Sequence, residues 1–172
     1  MPITPDTKNW TWVLERECPE CGFDASRIPF AGIPDALRDN VIAWPAVLHR
    51  DDVRVRPDDE TWSPLEYSAH VRDVFRIFAD RLDLMLRDDD PAFENWDQDA
   101  TAVADRYAEQ DPRKVEVDLV SSGNALADAF ACVPADAIGR TGRRSDGSRF
   151  TVETLGQYLL HDPVHHLWDV TR

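Results

Sequence analysis

The chain has 172 residues, 42% of them apolar, which suits one domain with an ordinary buried core. Its 33 acidic against 19 basic residues leave a formal charge of −14, a balance that repels phosphate backbones and anionic membrane surfaces, so neither nucleic acid nor a membrane is an expected partner. No signal-peptide run opens the sequence, no segment approaches the roughly 18 continuous apolar residues of a membrane span, and three cysteines are too few for a disulfide framework. A soluble, cytoplasmic protein is expected.

Residues 1–30, with four prolines, Trp10, Trp12 and the motif Cys18-Pro-Glu-Cys21-Gly22, read as an extended arm lying across the body. From Ile33, Leu37, Val41, Trp44 and Leu48 recur at helical spacing, with Pro45 set to kink or end that helix. Ser63-Pro64 supplies the cap and first residue of a second helix, whose stripe runs through Tyr67, Val71, Val74, Phe75, Phe78, Leu82 and Met85. A polar loop anchored by Phe93 and Trp96 and a short helical stretch from Ala100 to Ala108 follow. Asp111-Pro112 then starts a third long helix that ends before Pro134 and is mildly weakened by Gly123. Asp146-Gly147 between two short runs is a hairpin signature. Thr151 can cap the last helix, with Glu153 complementing its dipole and Pro163 interrupting its middle. The expected architecture is all-α: an arm over residues 1–30, then a helical bundle over 31–172 with a small β-hairpin before the last helix.

Four histidines carry the chemical signal. His161 and His165 are four apart, so on a helix they differ by about 40° around the axis and could hold one ion. The pair alone is more often a hydrogen-bonded surface pair. His70, at the rim of the second helix's apolar stripe, could supply a third imidazole from another helix. Three ligands would leave an open position, the mark of a catalytic site. Glu66 and Asp73 share the side of His70 and could orient it or act as bases, as could Asp162; solvated helix charges are the alternative reading. Trp62, Tyr67, His166 and Trp168 are candidate pocket walls. His49 has no partner at diagnostic spacing.

The strings Trp62-Ser-Pro-Leu-Glu66-Tyr67-Ser-Ala-His70-Val-Arg-Asp73 and Leu160-His161-Asp-Pro-Val-His165-His166, with Phe150-Thr151-Val152 leading into the last helix, resemble the DinB-like family over residues 31–171. That family is similar in fold to the N-terminal domain of mycothiol-dependent maleylpyruvate isomerase and includes thiol-dependent S-transferases. The resemblance implies a four-helix bundle with a metal held by three histidines, one on the second helix and two on the last, here His70, His161 and His165. It also suggests a homodimer. The sequence departs from the family pattern at Pro163 and in its cysteine-bearing arm.

An open divalent metal, zinc or nickel, could bind a low-molecular-weight thiol such as mycothiol as thiolate and deliver it to an electrophilic substrate. A thiol-dependent S-transferase or isomerase is therefore the leading expectation. A hydrolase using metal-bound water is the first alternative, and a non-catalytic metal-binding or stress-associated bundle the second. Cys18 and Cys21 resemble one knuckle of a zinc ribbon without its second pair. Reduced thiols in a packed arm are the leading reading there, beside a separate zinc completed by non-cysteine ligands or a redox pair.

Overall fold

The structure, a computed structural model, describes residues 9 to 172. Helix α1 spans Ile33–Val41 and α2 spans Trp44–Leu48, so the single helix expected there is two. The break falls just ahead of Pro45, which lacks the amide to continue the ladder and instead sits in the first turn of α2. Helix α3 spans Pro64–Arg87 and opens on a capping box: the Ser63 side chain accepts from the Glu66 amide, while Glu66 accepts from the Ser63 amide. Helix α4, Gln98–Ala104, ends short of the expected stretch, and a turn of 3-10 helix, Tyr107–Glu109, follows it. Helix α5 is Pro112–Ala131 and α6 is Val152–Thr171. Strands β1, Thr141–Arg143, and β2, Arg149–Thr151, pair antiparallel around Gly147, whose φ of +88° is the left-handed turn conformation that glycine adopts freely.

The body is a four-helix bundle in which α3 packs on α5 and α6, and α1 packs on the same two. Its core is built from Leu37, Phe75, Leu119, Leu126, Phe130 and Leu155, all essentially inaccessible, and each such side chain contributes about 1.5–3 kcal/mol of burial. Gly123 serves this packing. A Cβ there would meet Val41 Cγ2 at 2.3 Å and Phe75 Cε2 at 2.9 Å, so the missing side chain lets α5 approach α1 and α3. No helix of the described residues is long and apolar enough to cross a membrane.

Two features of α6 position the site. The helix runs unbroken through Pro163, so Asp162 is an interior residue and not the cap of a new helix, and His161 and His165 keep their shared side. The Pro163 carbonyl accepts from the buried Asn40 side chain, which in turn accepts from Trp44 Nε1. At the helix start, Thr154 completes the capping box with Thr151. Glu153, expected to serve the helix dipole, accepts from the Phe30 amide and fastens the arm. Gln157 adds bonds to the Ala25 and Ile28 carbonyls.

Candidate metal centre

Helix α6 presents two adjacent polar stripes to different neighbours. A step of one residue turns a side chain by about 100°, so Asp162 and His166 leave the helix in another direction from His161 and His165. The first pair meets His70 on α3, and the second meets the arm. Ligand atoms of His70, Asp162 and His166 lie within 4.8 Å of one another, and so do those of Cys18, Cys21, His161 and His165. The trio expected from the sequence is thus divided. His70 falls in one group, His161 and His165 in the other, and His166 and Asp162 stand where His161 and His165 were expected.

In the first group, His70 Nε2 is 3.2 Å from Asp162 Oδ1, and His166 Nε2 is 3.6 Å from the same oxygen. His166 Nδ1 lies 3.1 Å from Asp169 Oδ2. With Asp169 accepting the Nδ1 proton, the Nε2 lone pair of His166 points toward Asp162 and His70, the usual way a carboxylate sets the tautomer of a metal-binding imidazole. His70 is fully buried, stacked on Trp96 with ring centroids 5.4 Å apart and flanked by Trp62 at 5.3 Å. Burial works to raise the Asp162 carboxyl, but the adjacent His70 and His166 outweigh it and hold it well below the usual carboxylate range. Two imidazoles and an ionised carboxylate converging from two helices fit a divalent cation with open positions.

Asp162 and His166 line a cleft of about 640 Å³, His161 and His165 lie on the same lining, and His70 is buried behind it; Trp62, Tyr67 and Trp96 wall the cleft, with Arg81 and Arg144 also on its lining. Among the described residues no carboxylate pairs with Arg81; its guanidinium covers the Phe78 and Phe93 rings instead. Tyr67 packs against His166 at 4.8 Å, whereas Trp168 lies against His165 and under Arg172, away from the cleft lining. Glu66 and Asp73 are committed elsewhere. Glu66 is held by Ser63 and Arg56, and Asp73 accepts from Arg72, Arg76 and Tyr107. Exposed His49 pairs with Glu116 at 2.8 Å.

In the second group, Cys18 Sγ is 3.7 Å from His165 Nδ1, while His165 Nε2 faces Glu20 at 3.3 Å and Asp169 at 3.9 Å. His161 is buried beneath Trp10, Trp12 and Phe23, and its Nε2 has no hydrogen-bond partner among the described residues. Burial, reinforced by His165, lowers the His161 pKa to about 4, and burial beside Cys18 raises the Cys21 thiol to about 11. The sequence reading passes over Asp169 and takes Trp96 only as a loop anchor, not as a residue of the site. Asp169 carried a signal, since it follows His166 by three residues and so shares its helix face.

No curated protein matches the chain at a significant level. The solved structure of YfiT from Bacillus subtilis, described as a probable metal-dependent hydrolase with an unusual four-helix bundle topology, matches with a TM-score of 0.64 at 18% identity. The match covers 98% of this chain and 91% of that one, and shows a shared fold. The family model of the DinB superfamily matches residues 35–170, which is most of the sequence, and the chain belongs to that superfamily.

Proposed function

We propose that the chain is a metal-dependent enzyme whose centre is His70, Asp162 and His166, and that it hydrolyses a small substrate. The observation that carries this reading is the convergence of His70 Nε2 and His166 Nε2 on one Asp162 oxygen, with His166 oriented by Asp169 from behind. A divalent cation held there would supply a Lewis acid that polarises a carbonyl or phosphoryl oxygen and lowers the pKa of water. One carboxylate among the ligands makes the set harder than three imidazoles, which favours oxygen over sulfur at the remaining positions. The fold neighbour's description as a probable metal-dependent hydrolase agrees with this choice.

The protein's own groups have separable roles. His70, Asp162 and His166 hold the cation, and Asp169 keeps the Nδ1 proton of His166 so that Nε2 remains a ligand atom. Trp62, Tyr67 and Trp96 exclude bulk water from one side. Arg81 offers a guanidinium to an anionic group on the substrate. Arg81→Met is then expected to raise KM far more than it lowers kcat.

Thiol transfer is the second reading, favoured by a cleft of about 640 Å³, which has room for a thiol beside an electrophile. A panel of esters, amides and phosphoesters, assayed on the metal-loaded chain with and without added thiol, separates the two. Hydrolysis without thiol that disappears in His166→Ala supports the first reading. Turnover that rises from zero with thiol concentration replaces it with the second, and no turnover on either arm with a metal-replete chain supports a non-catalytic bundle.

A further inference from the structure

We propose that Cys18, Cys21, His161 and His165 bind a second metal ion, a tetrahedral zinc that fastens the N-terminal arm to α6. Four independent features support it. The four ligand atoms lie within 4.8 Å of one another although they come from two segments about 140 residues apart in sequence. Two thiolates with two imidazoles form a set typical of structural zinc. The separation of 3.7 Å between Cys18 Sγ and His165 Nδ1 matches the about 3.6 Å expected for a sulfur and a nitrogen on one tetrahedral zinc. Finally, His161 Nε2 is buried without a hydrogen-bond partner among the described residues, and a buried imidazole nitrogen ordinarily has one.

The local backbone is shaped for the task. The Gly22 amide donates to the Cys18 carbonyl and the Cys18 amide to the Phe23 carbonyl, closing a tight turn. Gly22 takes a φ of +73°, so the chain reverses directly after the second cysteine. Trp10, Trp12 and Phe23 cover His161. Glu20 and Asp169 face the far nitrogen of His165, where a carboxylate would fix the tautomer that leaves Nδ1 free to ligate.

This zinc differs in kind from the cation proposed for the cleft. Four protein ligands close its coordination, so it is structural, and it holds the α6 face adjoining Asp162 and His166 in register. Asp169 links the two centres, contacting His166 at 3.1 Å and facing His165 at 3.9 Å.

The test is reconstitution of the full-length chain, purified under reducing conditions, with cobalt(II). Cobalt on thiolate gives a near-ultraviolet charge-transfer band, and tetrahedral cobalt gives intense visible bands; the cysteine-free cleft centre can give no thiolate band. The expected result is both features in the wild type, retained in His70→Ala and lost in the Cys18→Ser, Cys21→Ser double variant, which also binds one metal fewer per chain. If the double variant does not fold, zinc X-ray absorption on the wild type decides, with sulfur scatterers expected at about 2.3 Å. Folded wild type without a thiolate band, zinc without sulfur neighbours, or a band that survives the double substitution overturns the proposal. Loss of catalytic turnover in His70→Ala with the band intact separates failure of the cleft reading from failure of this one.

Discussion

Neutralising Asp73 probes whether this carboxylate belongs to the fold or to the metal centre. Its oxygens accept from Arg72 Nε at 2.9 Å and Nη2 at 2.8 Å, from Arg76 at 3.2 Å and from Tyr107 at 2.6 Å, and the Arg72 side chain is only 7% exposed. Removing one partner of a buried pair costs about 3–5 kcal/mol because the other charge is left uncompensated. Asn retains one acceptor oxygen, so Asp73→Asn should sit at the low end, about 3 kcal/mol. With a urea m-value of about 2 kcal/mol/M, that is a midpoint lower by about 1.5 M. Burial works to raise the Asp73 carboxyl, but Arg72 and Tyr107 outweigh it and hold it below its ordinary value. A lowered folded pKa gives stability that is fully present above the unfolded value of about 3.9 and is lost as pH falls through the folded one. The gap between wild type and variant should therefore be constant from neutral pH to about pH 5 and should narrow below about pH 4. Urea unfolding at several pH values measures this, and metal content should not change. A loss under about 0.5 kcal/mol at pH 7, typical of an unimportant surface site, or a gap that stays fully open in acid, would show that Asp73 is not held as a buried, ionised partner of Arg72.

Gly123→Ala should lower the thermal midpoint by several degrees, because overpacking against Val41 and Phe75 costs about 1–3 kcal/mol and outweighs a helix-propensity gain of up to about 1 kcal/mol; a raised midpoint would show that the contact relaxes freely. Asp169→Ala should weaken metal binding about 10- to 100-fold by releasing His166, measured by competition with a chelator dye, and unchanged affinity would remove Asp169 from the centre. Arg81→Met should raise KM for an anionic substrate and leave its uncharged analogue unaffected; equal effects on both would deny Arg81 a role in recognition.

The bundle was legible because its signals are local. The stripe from Tyr67 to Met85 fixed α3, and Ser63 and Thr151 marked helix starts that the structure closes with capping boxes. Asp146-Gly147 marked the hairpin. The division of the histidines was not legible from periodicity. His161 with His165, and Asp162 with His166, both satisfy a spacing of four, and only the rotational setting of α6 decides which pair meets α3. That setting depends on contacts with the arm and with Asn40 that no sequence window contains. Pro163 drew attention to His161, yet the helix passes through it. Cys18 and Cys21 lacked a second cysteine pair, and the histidines that complete their group lie about 140 residues downstream. Gly123 shows the same limit, since its spacing registers a helix weakness while its role is a close approach between helices.

Anomalous diffraction at the metal edge, on crystals of the metal-loaded full chain, locates the cation among its ligands. A peak is expected about 2.0–2.2 Å from His70 Nε2, Asp162 Oδ1 and His166 Nε2, facing the cleft. A peak bonded to His70, His161 and His165 together, or none beside His70 in a metal-replete crystal, would contradict it.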